Sequence, residues 1–266
     1  MIGFDSIGTM GRLGNQMFQH AAVKGIAAHR GYEYTIPPEN PRIQIDNYGL
    51  IEAFELSDNK KIGWLNTQYD IIAEKHFHFD EDLFNTFPDG SGLYGFFQSE
   101  KYFKHIEDEI REDFTFKKEW LEPCEGFRKD LGDEVIFLHV RRGDPNLADK
   151  RGFKWAYAQW SSQHPPQPLE YYEKALKEFD DDMPVVVFSD SIDWVKEQDL
   201  FKPDRFMISE QTDKFSDGAL VPYIDLCLMT LCDHAIIANS SMSWWGAWLI
   251  KNKNKKVIAP KMWFGP

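Results

Sequence analysis

The stretch VIFLHVRRGD, residues 135–144, decides the fold of the second half of the chain. Its first four residues form a continuous apolar run, which is typical of a strand buried on both faces of a parallel sheet. The run is followed by His139, Arg141, Arg142 and Asp144. Because ligands in α/β folds bind beyond the carboxyl ends of the strands, the sequence predicts a ligand site at the end of this strand.

The two adjacent arginines of this stretch are not expected to act on one ligand together. Successive side chains of an extended chain point to opposite sides, so only one of Arg141 and Arg142 can easily face a given ligand. We expect the other arginine to pair with a carboxylate, and Asp144 is the nearest one in the sequence.

A second apolar strand, PVVVFSDS at residues 184–191, also ends in polar residues. Asp190 or Ser191 could cap the helix that follows, and that structural duty would explain one of them. A carboxylate at this position could also accept two hydrogen bonds from N1 and N2 of guanine, a pair of donors that uracil and adenine cannot offer together. The residues themselves leave both roles open.

A third strand, residues 235–238, is followed by Asn239, Ser240 and Ser241. A helix begins there, and its first backbone amides together with small hydroxyl groups form a cradle for phosphate. Three strands that end in polar residues and are separated by helices predict a Rossmann-like unit in the second half of the chain.

The first half predicts a looser unit of the same kind. Residues 2–7 are interpreted as a strand, and a loop with Gly8, Gly11 and Gly14 leads into a helix that Asn15 or a neighbour would cap and that Gly31 would end. Backbone can approach a diphosphate closely at such a loop. Many glycine-rich loops are only tight turns, so the spacing alone is a weak signal.

The domain boundary is expected in a charged, poorly periodic segment. Residues 117–133 have no clear helical or strand period and are the best candidate for a linker. The sequence therefore predicts an N-terminal Rossmann-like domain at 1–118 and a C-terminal Rossmann-like domain at 134–266.

The bulk composition argues against nucleic acid and membrane partners. The 266 residues are 42% hydrophobic, and the formal net charge is -13, from 30 Lys and Arg against 43 Asp and Glu. Binding to nucleic acid requires basic surface, which this charge opposes. No window approaches the roughly 18 apolar residues of a membrane span, and the amino terminus has no basic region. We expect a cytoplasmic protein, soluble or peripheral to the inner membrane, without a transmembrane segment.

No cluster in the sequence requires a metal ion. His and Asp alternate at residues 76–82, but a half-exposed edge strand with its two phenylalanines buried explains the pattern without an ion. The acidic run FDDDMP at 179–184 is interpreted as a solvated turn. The three cysteines, Cys124, Cys227 and Cys232, lack metal-ligand spacing and indicate packing residues in a reducing compartment.

A long loop follows the arginine stretch. Residues 145–168 show no clear period and carry Trp155, Tyr157 and Trp160. Long loops usually have a function, and aromatic side chains near a strand end could stack on the apolar faces of acceptor sugar rings. The alternative is a lid packed on its own aromatic side chains, and the sequence leaves the two interpretations equally open.

Four stretches of the chain together resemble one enzyme family. HVRRGD at residues 139–144 is similar to the nucleotide-sugar motif of the alpha-1,2-fucosyltransferases, glycosyltransferase family eleven, which use GDP-fucose. The other three are GRLGNQMFQ at 11–19, GFFQSEKYF at 95–103 and ANSSMSWWGAWL at 238–249. They occur in the family's order and reach from near the first residue to near the last.

The resemblance implies a fold and a reaction. The fold would be GT-B, α/β with two Rossmann-like domains facing a cleft, of which the domain at 1–118 would lie on the acceptor side and the domain at 134–266 would bind the GDP-sugar. The enzyme would be a galactoside 2-alpha-L-fucosyltransferase, an inverting enzyme that moves L-fucose from GDP-β-L-fucose to the 2-hydroxyl of a terminal galactoside on an oligosaccharide, with no metal cofactor. Two alternatives stay open, namely a transferase that uses another GDP-sugar or linkage and a non-catalytic module that binds a guanine nucleotide.

The resemblance also implies residue roles. In the catalytic group, Arg141 would stabilise the departing β-phosphate, Asn15 would lie at the reaction centre, and Asp149 would serve as base. Asp190 would read the guanine, and His139 would hydrogen-bond the nucleotide, since its strand keeps it close to the sheet. The full set of donor-binding residues is Gly14, Gln16, His139, Arg142, Asp190, Asn239, Ser240 and Ser241. The acceptor-binding residues are Trp155, Tyr157 and Trp160.

Overall fold

A computed structural model describes residues 1–40, 48–56, 61–65, 69–143, 164–210 and 222–264. The chain divides into two compact units, Met1–Lys117 and Lys118–Pro266. Within the described residues, both units are α/β, and each contains one sheet whose strands are all parallel.

The first unit has short strands and one long helix. In the described residues its sheet has the order β2-β1-β4-β3, with strands β1 (Ile2–Gly3), β2 (Tyr34–Thr35), β3 (Ile71–Ala73) and β4 (Gly92–Tyr94). The helices are α1 (Leu13–Arg30), α2 (Gly49–Ala53), α3 (Glu81–Thr86) and α4 (Glu107–Asp113), with 3-10 turns at Glu100–Tyr102 and Lys104–Ile106. Strand β1 is shorter than predicted because a turn begins at Phe4, whose carbonyl accepts the Ile7 N–H at 3.1 Å.

The ends of helix α1 agree with the sequence at one terminus only. The helix ends at Gly31, which adopts a left-handed conformation with φ 70° and which the sequence predicted as the stop. For the other end the sequence predicted a cap at Asn15 or a neighbour, and the cap is not Asn15. The N-cap is Arg12, an extended residue whose side chain makes no capping hydrogen bond, and Asn15 lies in the first helical turn.

Helix α1 is pinned to its unit by buried polar side chains as well as apolar ones. The Oε1 atom of Gln16 accepts the N–H of Gly49 at 2.9 Å, at the start of α2. The Nε2 atom of Gln19 donates to the carbonyl of Gly95 at 2.9 Å. Both side chains are fully buried, and a hydrogen bond offsets the cost of removing each amide from water.

The edge strand predicted for residues 76–82 was wrong. Residues 76–78 form a bend, and helix α3 begins at Glu81 because Asp80 accepts the N–H of Leu83 at 2.9 Å and caps it. Phe77, which the strand would have buried, is 54% exposed. The alternating His and Asp residues therefore reflect a bend and a helix cap.

The second unit has longer strands. In the described residues its sheet has the order β7-β6-β5-β8-β9, with strands β5 (Ile136–Val140), β6 (Val185–Ser189), β7 (Phe206–Ile208), β8 (His234–Ile236) and β9 (Val257–Ile258). The helices are α5 (Lys118–Lys129), α6 (Leu169–Leu176), α7 (Ile192–Glu197), α8 (Pro222–Leu231) and α9 (Ser241–Leu249). Strands β5 and β6 are buried along their whole length, as the continuous apolar runs predicted.

The register of the two central strands places the polar residues of the motif. Val140 and Ser189 are paired, so Arg141 and Asp190 are the first residues beyond β5 and β6 at the same edge of the sheet. On one face of this sheet, side chains from the strands pack against α6 and α7. This core cluster includes Ile136, Leu138, Val140, Tyr172, Leu176, Val185, Val187 and Val195.

The segment predicted as a linker is instead a helix. Helix α5 occupies Lys118–Lys129 and belongs to the second unit, where it packs on α8. The Sγ atom of Cys124 lies 3.7 Å from the carbonyl oxygen of Ile224, and Trp120 makes an edge contact with Tyr223 at a centroid distance of 5.2 Å. The helix was missed because most of its surface is charged and exposed, so its apolar stripe is narrow.

Candidate functional site

The chain turns after β5 around the carboxylate of Asp190. The N–H of Arg142 donates to Oδ1 of Asp190 at 2.9 Å, and the N–H of Gly143 donates to Oδ2 at 2.9 Å. The Nη1 atom of Arg141 lies 2.5 Å from the same Oδ2. Gly143 has φ 78°, a conformation that favours glycine. One carboxylate therefore holds three successive residues of the motif.

These contacts bear on the two roles that the sequence left open for Asp190. Its side chain is only 12% exposed, and three donors already share its charge. The N-cap of α7 is Ser191, whose hydroxyl donates to the carbonyl of Gly143 at 3.0 Å instead of capping the helix. Asp190 therefore organises the loop after β5, and the guanine-reading role stays a prediction that these hydrogen bonds oppose.

The two arginines make different contacts, but the expectation that the arginine away from the ligand pairs with a carboxylate was wrong, because Arg141, the residue predicted to meet the phosphate, makes that pair. The guanidinium of Arg142 lies over the ring of Trp194, at 4.0 Å from the ring centroid, in a cation–π contact. Arg141 pairs with a carboxylate and keeps 32% of its side chain exposed. The carboxylate is Asp190, whereas Asp144, the expected partner, lies outside the described residues.

His139 is a buried, neutral imidazole beside the Arg141 ion pair. Burial lowers the pKa of His139 to about 4, the negative charge of Asp190 opposes this shift, and the positive charge of Arg141 adds to it. Its side chain is buried in β5, and its Nδ1 atom has no hydrogen-bond partner in the part of the chain that the structure describes. The hydrogen bond from His139 to the nucleotide stays a prediction, for which the Nδ1 atom is the ring nitrogen without a described partner.

The lowered pKa of His139 predicts a pH-dependent stability. As the pH falls below 6.5 the imidazole is protonated in the unfolded chain but not in the folded one until about pH 4, so stability is lost across this window. Between pH 7 and pH 4, the unfolding free energy of the wild type should fall by on the order of 3 kcal/mol more than that of His139→Gln. Urea unfolding curves at several pH values measure this difference, and parallel curves would refute it.

Of the residues after β8, Asn239 makes hydrogen bonds within the unit, whereas the side chain of Ser240 does not cap the helix that follows. The Nδ2 atom of Asn239 donates to the carbonyls of Pro165 and Trp263, at 3.1 and 3.3 Å, while its buried Oδ1 has no partner among the described residues. Ser240 is the N-cap of α9 but makes no side-chain capping hydrogen bond, and Ser241 is the first helical residue. Ser240 and the first turn of α9 thus stand at the predicted helix start, and the phosphate cradle itself stays a prediction.

The predicted residues of the first unit form a separate group. Gln98 donates from Nε2 to Oδ1 of Asn15 at 2.7 Å. The side chain of Gln16 is fully buried against Gly49, which favours a packing role over the predicted contact with the donor. Gly14 is buried in the first turn of α1.

Several predicted site residues lie outside the described residues. They are the proposed base Asp149 and the proposed acceptor-binding residues Trp155, Tyr157 and Trp160. Three further side chains were missed by sequence reasoning. Trp194 supports Arg142, Gln98 contacts Asn15, and His164 has its pKa lowered by burial and then by Arg141. Gln98 lies in the motif at 95–103 and His164 in the long loop at 145–168, whereas no sequence signal pointed to Trp194.

Two predictions concern features that the described residues lack. They contain no group of three or more His, Cys, Asp or Glu side chains arranged to hold a metal ion. None of the helices in this part of the chain is both long enough and apolar enough to cross a membrane. Metal independence of the reaction stays a prediction.

Comparison with known proteins identifies the family. The model of glycosyl transferase family 11 matches residues 2–264. The chain belongs to this family. An alpha-1,2-colitosyltransferase of Escherichia coli is 30% identical, over 96% of this chain and 90% of that protein. Galactoside alpha-(1,2)-fucosyltransferase 2 of Sus scrofa is 24% identical, over 93% of this chain and 70% of that protein.

The fold of this family 11 chain has solved relatives. NodZ alpha-1,6-fucosyltransferase, in a crystal soaked with GDP-fucose, superposes with a TM-score of 0.54 at 15% identity, covering 94% of this chain and 92% of that one. At this identity the likeness concerns the fold alone. The family resemblance and the GT-B fold that the four sequence stretches implied are both confirmed.

Proposed function

We propose that this family 11 glycosyltransferase is an inverting fucosyltransferase, which moves L-fucose from GDP-β-L-fucose to the 2-hydroxyl of a terminal galactoside on a glycan. The galactoside alpha-(1,2)-fucosyltransferase relative supports the donor and the linkage. The observation that carries the chemistry is the guanidinium of Arg141, held at the carboxyl end of β5 by Asp190.

The hard step in such a transfer is the departure of GDP. Negative charge develops on the β-phosphate as the bond from the sugar to its oxygen breaks, and a fixed donor that meets this charge lowers the barrier. A guanidinium carries five N–H donors in a plane, so Arg141 can keep its contact with Asp190 and still bind phosphate oxygens. The two backbone N–H bonds to Asp190 spread the charge of that carboxylate, which limits how far it cancels the arginine.

The start of α9 is the second proposed phosphate contact. The helix has nine residues, and its first backbone amides lack partners within the helix and carry partial positive charge. The Ser240 hydroxyl makes no capping bond there and could donate to a phosphate oxygen. In this proposal Asn239 has a structural role, because its Nδ2 atom fixes the residue before α9 to the carbonyls of Pro165 and Trp263.

Inversion requires that the acceptor hydroxyl lose its proton as it attacks the sugar from the opposite face. His139 is poorly suited to accept it, because a group with a pKa of about 4 is a weak base at neutral pH. Asp149 is the proposed base on the resemblance alone. An Asp149→Asn variant with an unchanged pH–rate profile would remove it from the mechanism.

A second donor has support of its own, since the colitosyltransferase relative is 30% identical. Colitose is L-fucose without the 3-hydroxyl. A site that hydrogen-bonds this hydroxyl discriminates strongly against the sugar that lacks it, whereas a site that only packs against C3 accepts both. The two donors therefore have to be compared directly.

The assay combines the protein with lactose and either GDP-fucose or GDP-colitose, in EDTA and in Mg²⁺. We expect free GDP and a fucosylated lactose whose NMR spectrum shows a link to O2 of galactose, formed equally well in EDTA. Faster transfer from GDP-colitose than from GDP-fucose would show that colitose, and not fucose, is the preferred donor sugar. Loss of activity in EDTA would refute metal independence, and GDP binding without any product would favour a nucleotide-binding module.

A further inference from the structure

A strained turn in the first unit is built around Gln98. Phe97 has φ 51° and is the one non-glycine residue of the described chain with positive φ. Gly95, two residues earlier, has φ 149°. Such conformations cost energy and persist only where the surroundings impose them, often at functional positions. The side chain of Phe97 is fully buried and packs edge-on against Phe4, at a centroid distance of 5.7 Å.

The half-buried carboxylate of Glu74 holds this turn from one side. Glu74, just after β3, accepts the N–H of Phe96 at 2.8 Å and the N–H of Phe97 at 3.0 Å. A side chain at Gly95 would have its Cβ only 2.5 Å from the Cβ of Glu74, so glycine is required there by space as well as by φ. Gln19 of α1 holds the carbonyl of Gly95 from the other side.

The strained turn places the side chain of Gln98 in contact with Asn15. Gln98 follows the strained residue directly, and its Nε2 donates to Oδ1 of Asn15 at 2.7 Å. On the other side of Asn15, Gly11 has φ 74°, and a Cβ there would lie 2.4 Å from Nδ2 of Asn15. The Asn15 amide is therefore bounded by Gln98 and by the bare backbone of Gly11.

The contact between Gln98 and Asn15 fixes which end of the Asn15 amide is left to meet a ligand. When the carbonyl oxygen of the Asn15 amide accepts from Gln98, its amino group is left as the donor available to a ligand. We propose that Gln98 is a positioning residue, which fixes the Asn15 carboxamide so that Nδ2 donates to an oxygen of a substrate. Gln98 acts through Asn15 and need not touch the substrate. This inference rests on the proposed transferase function.

A double-mutant cycle tests the inference with Gln98→Met, Asn15→Ala and the double variant. Gln98→Met should lower kcat roughly five- to tenfold, the effect of one neutral hydrogen bond, with the KM for the donor unchanged. The double variant should equal Asn15→Ala, because Gln98 has no target once Asn15 is gone. Ser99→Ala, which loses only a long capping contact on the same turn, is the control and should match the wild type.

A wild-type rate in Gln98→Met, or additive losses in the double variant, would overturn the inference. Gln98→Glu adds a direct check of orientation. A carboxylate can only accept, so it should turn the Asn15 amide around and lower kcat further than methionine does; equal or faster turnover would contradict this. If the wild type transfers no sugar, the proposed function fails by itself. The side-chain amide signals of Asn15 in ¹H–¹⁵N spectra then decide: they should shift in Gln98→Met, and unchanged signals refute the contact.

Discussion

Replacement of Arg141 by alanine should lower the kcat for sugar transfer about 10³-fold without unfolding the protein. The loss follows from removing the donor that meets the charge on the departing phosphate. The fold should survive because the Arg141 side chain is 32% exposed and Asp190 keeps its two backbone N–H partners. Steady-state kinetics with GDP-fucose and thermal unfolding measure the two quantities.

Two further variants make the Arg141 result specific. Arg141→Lys keeps the charge but loses the planar pair of donors, so we expect an intermediate kcat. Arg205→Ala is the matched control. This arginine also lies over an aromatic ring, that of Phe206, but it directly precedes β7 and so lies at the amino ends of the parallel strands, opposite to Arg141. It should retain the wild-type kcat. A fully active Arg141→Ala enzyme would remove the guanidinium from the mechanism.

Replacement of Asp190 by asparagine should lower kcat/KM about 10²-fold, the loss expected for a charge-assisted pair whose partner groups stay in place. The amide oxygen can still accept from the N–H of Arg142. The amino group would then face the N–H of Gly143 and the guanidinium of Arg141, and it cannot accept a hydrogen bond from either. The same change at Asp193, an exposed residue of α7, is the control and should leave kcat/KM unaltered.

The Asp190 variant also separates the two roles considered for this residue. Inosine diphosphate lacks the 2-amino group of guanine, so the ratio of its Kd to that of GDP reports base reading. If Asp190 organises the loop, Asp190→Asn should weaken both nucleotides and leave this ratio unchanged. If Asp190 reads guanine, the ratio should fall towards one. Calorimetry of both nucleotides with wild type and variant decides between them.

Much of the second unit could be predicted because its signals are local. The apolar runs that became β5 and β6 are continuous and end in charged residues, and parallel strands gather such ends at one edge. The contact between Arg141 and Asp190 could not be predicted. It depends on the register of β5 against β6, and the sequence offered Asp144 as a nearer partner.

The first unit was less predictable because its strands are short and its polar residues are buried. Strand β1 contains two residues, too few to show a period. Gln16 and Gln19 look like solvent-facing residues in the sequence, yet each satisfies a backbone group inside the unit. The proposed role of Gln98 depends on the positive φ of Phe97. A phenylalanine in a sequence gives no indication of this backbone conformation, which non-glycine residues rarely adopt.

The central claim is that Arg141 binds the diphosphate of the donor at the carboxyl end of β5. The most direct test is a crystal structure of the protein with GDP. The account predicts β-phosphate oxygens about 3 Å from the Arg141 guanidinium, a hydrogen-bonding distance. A β-phosphate bound elsewhere, beyond hydrogen-bonding reach of Arg141, would contradict it.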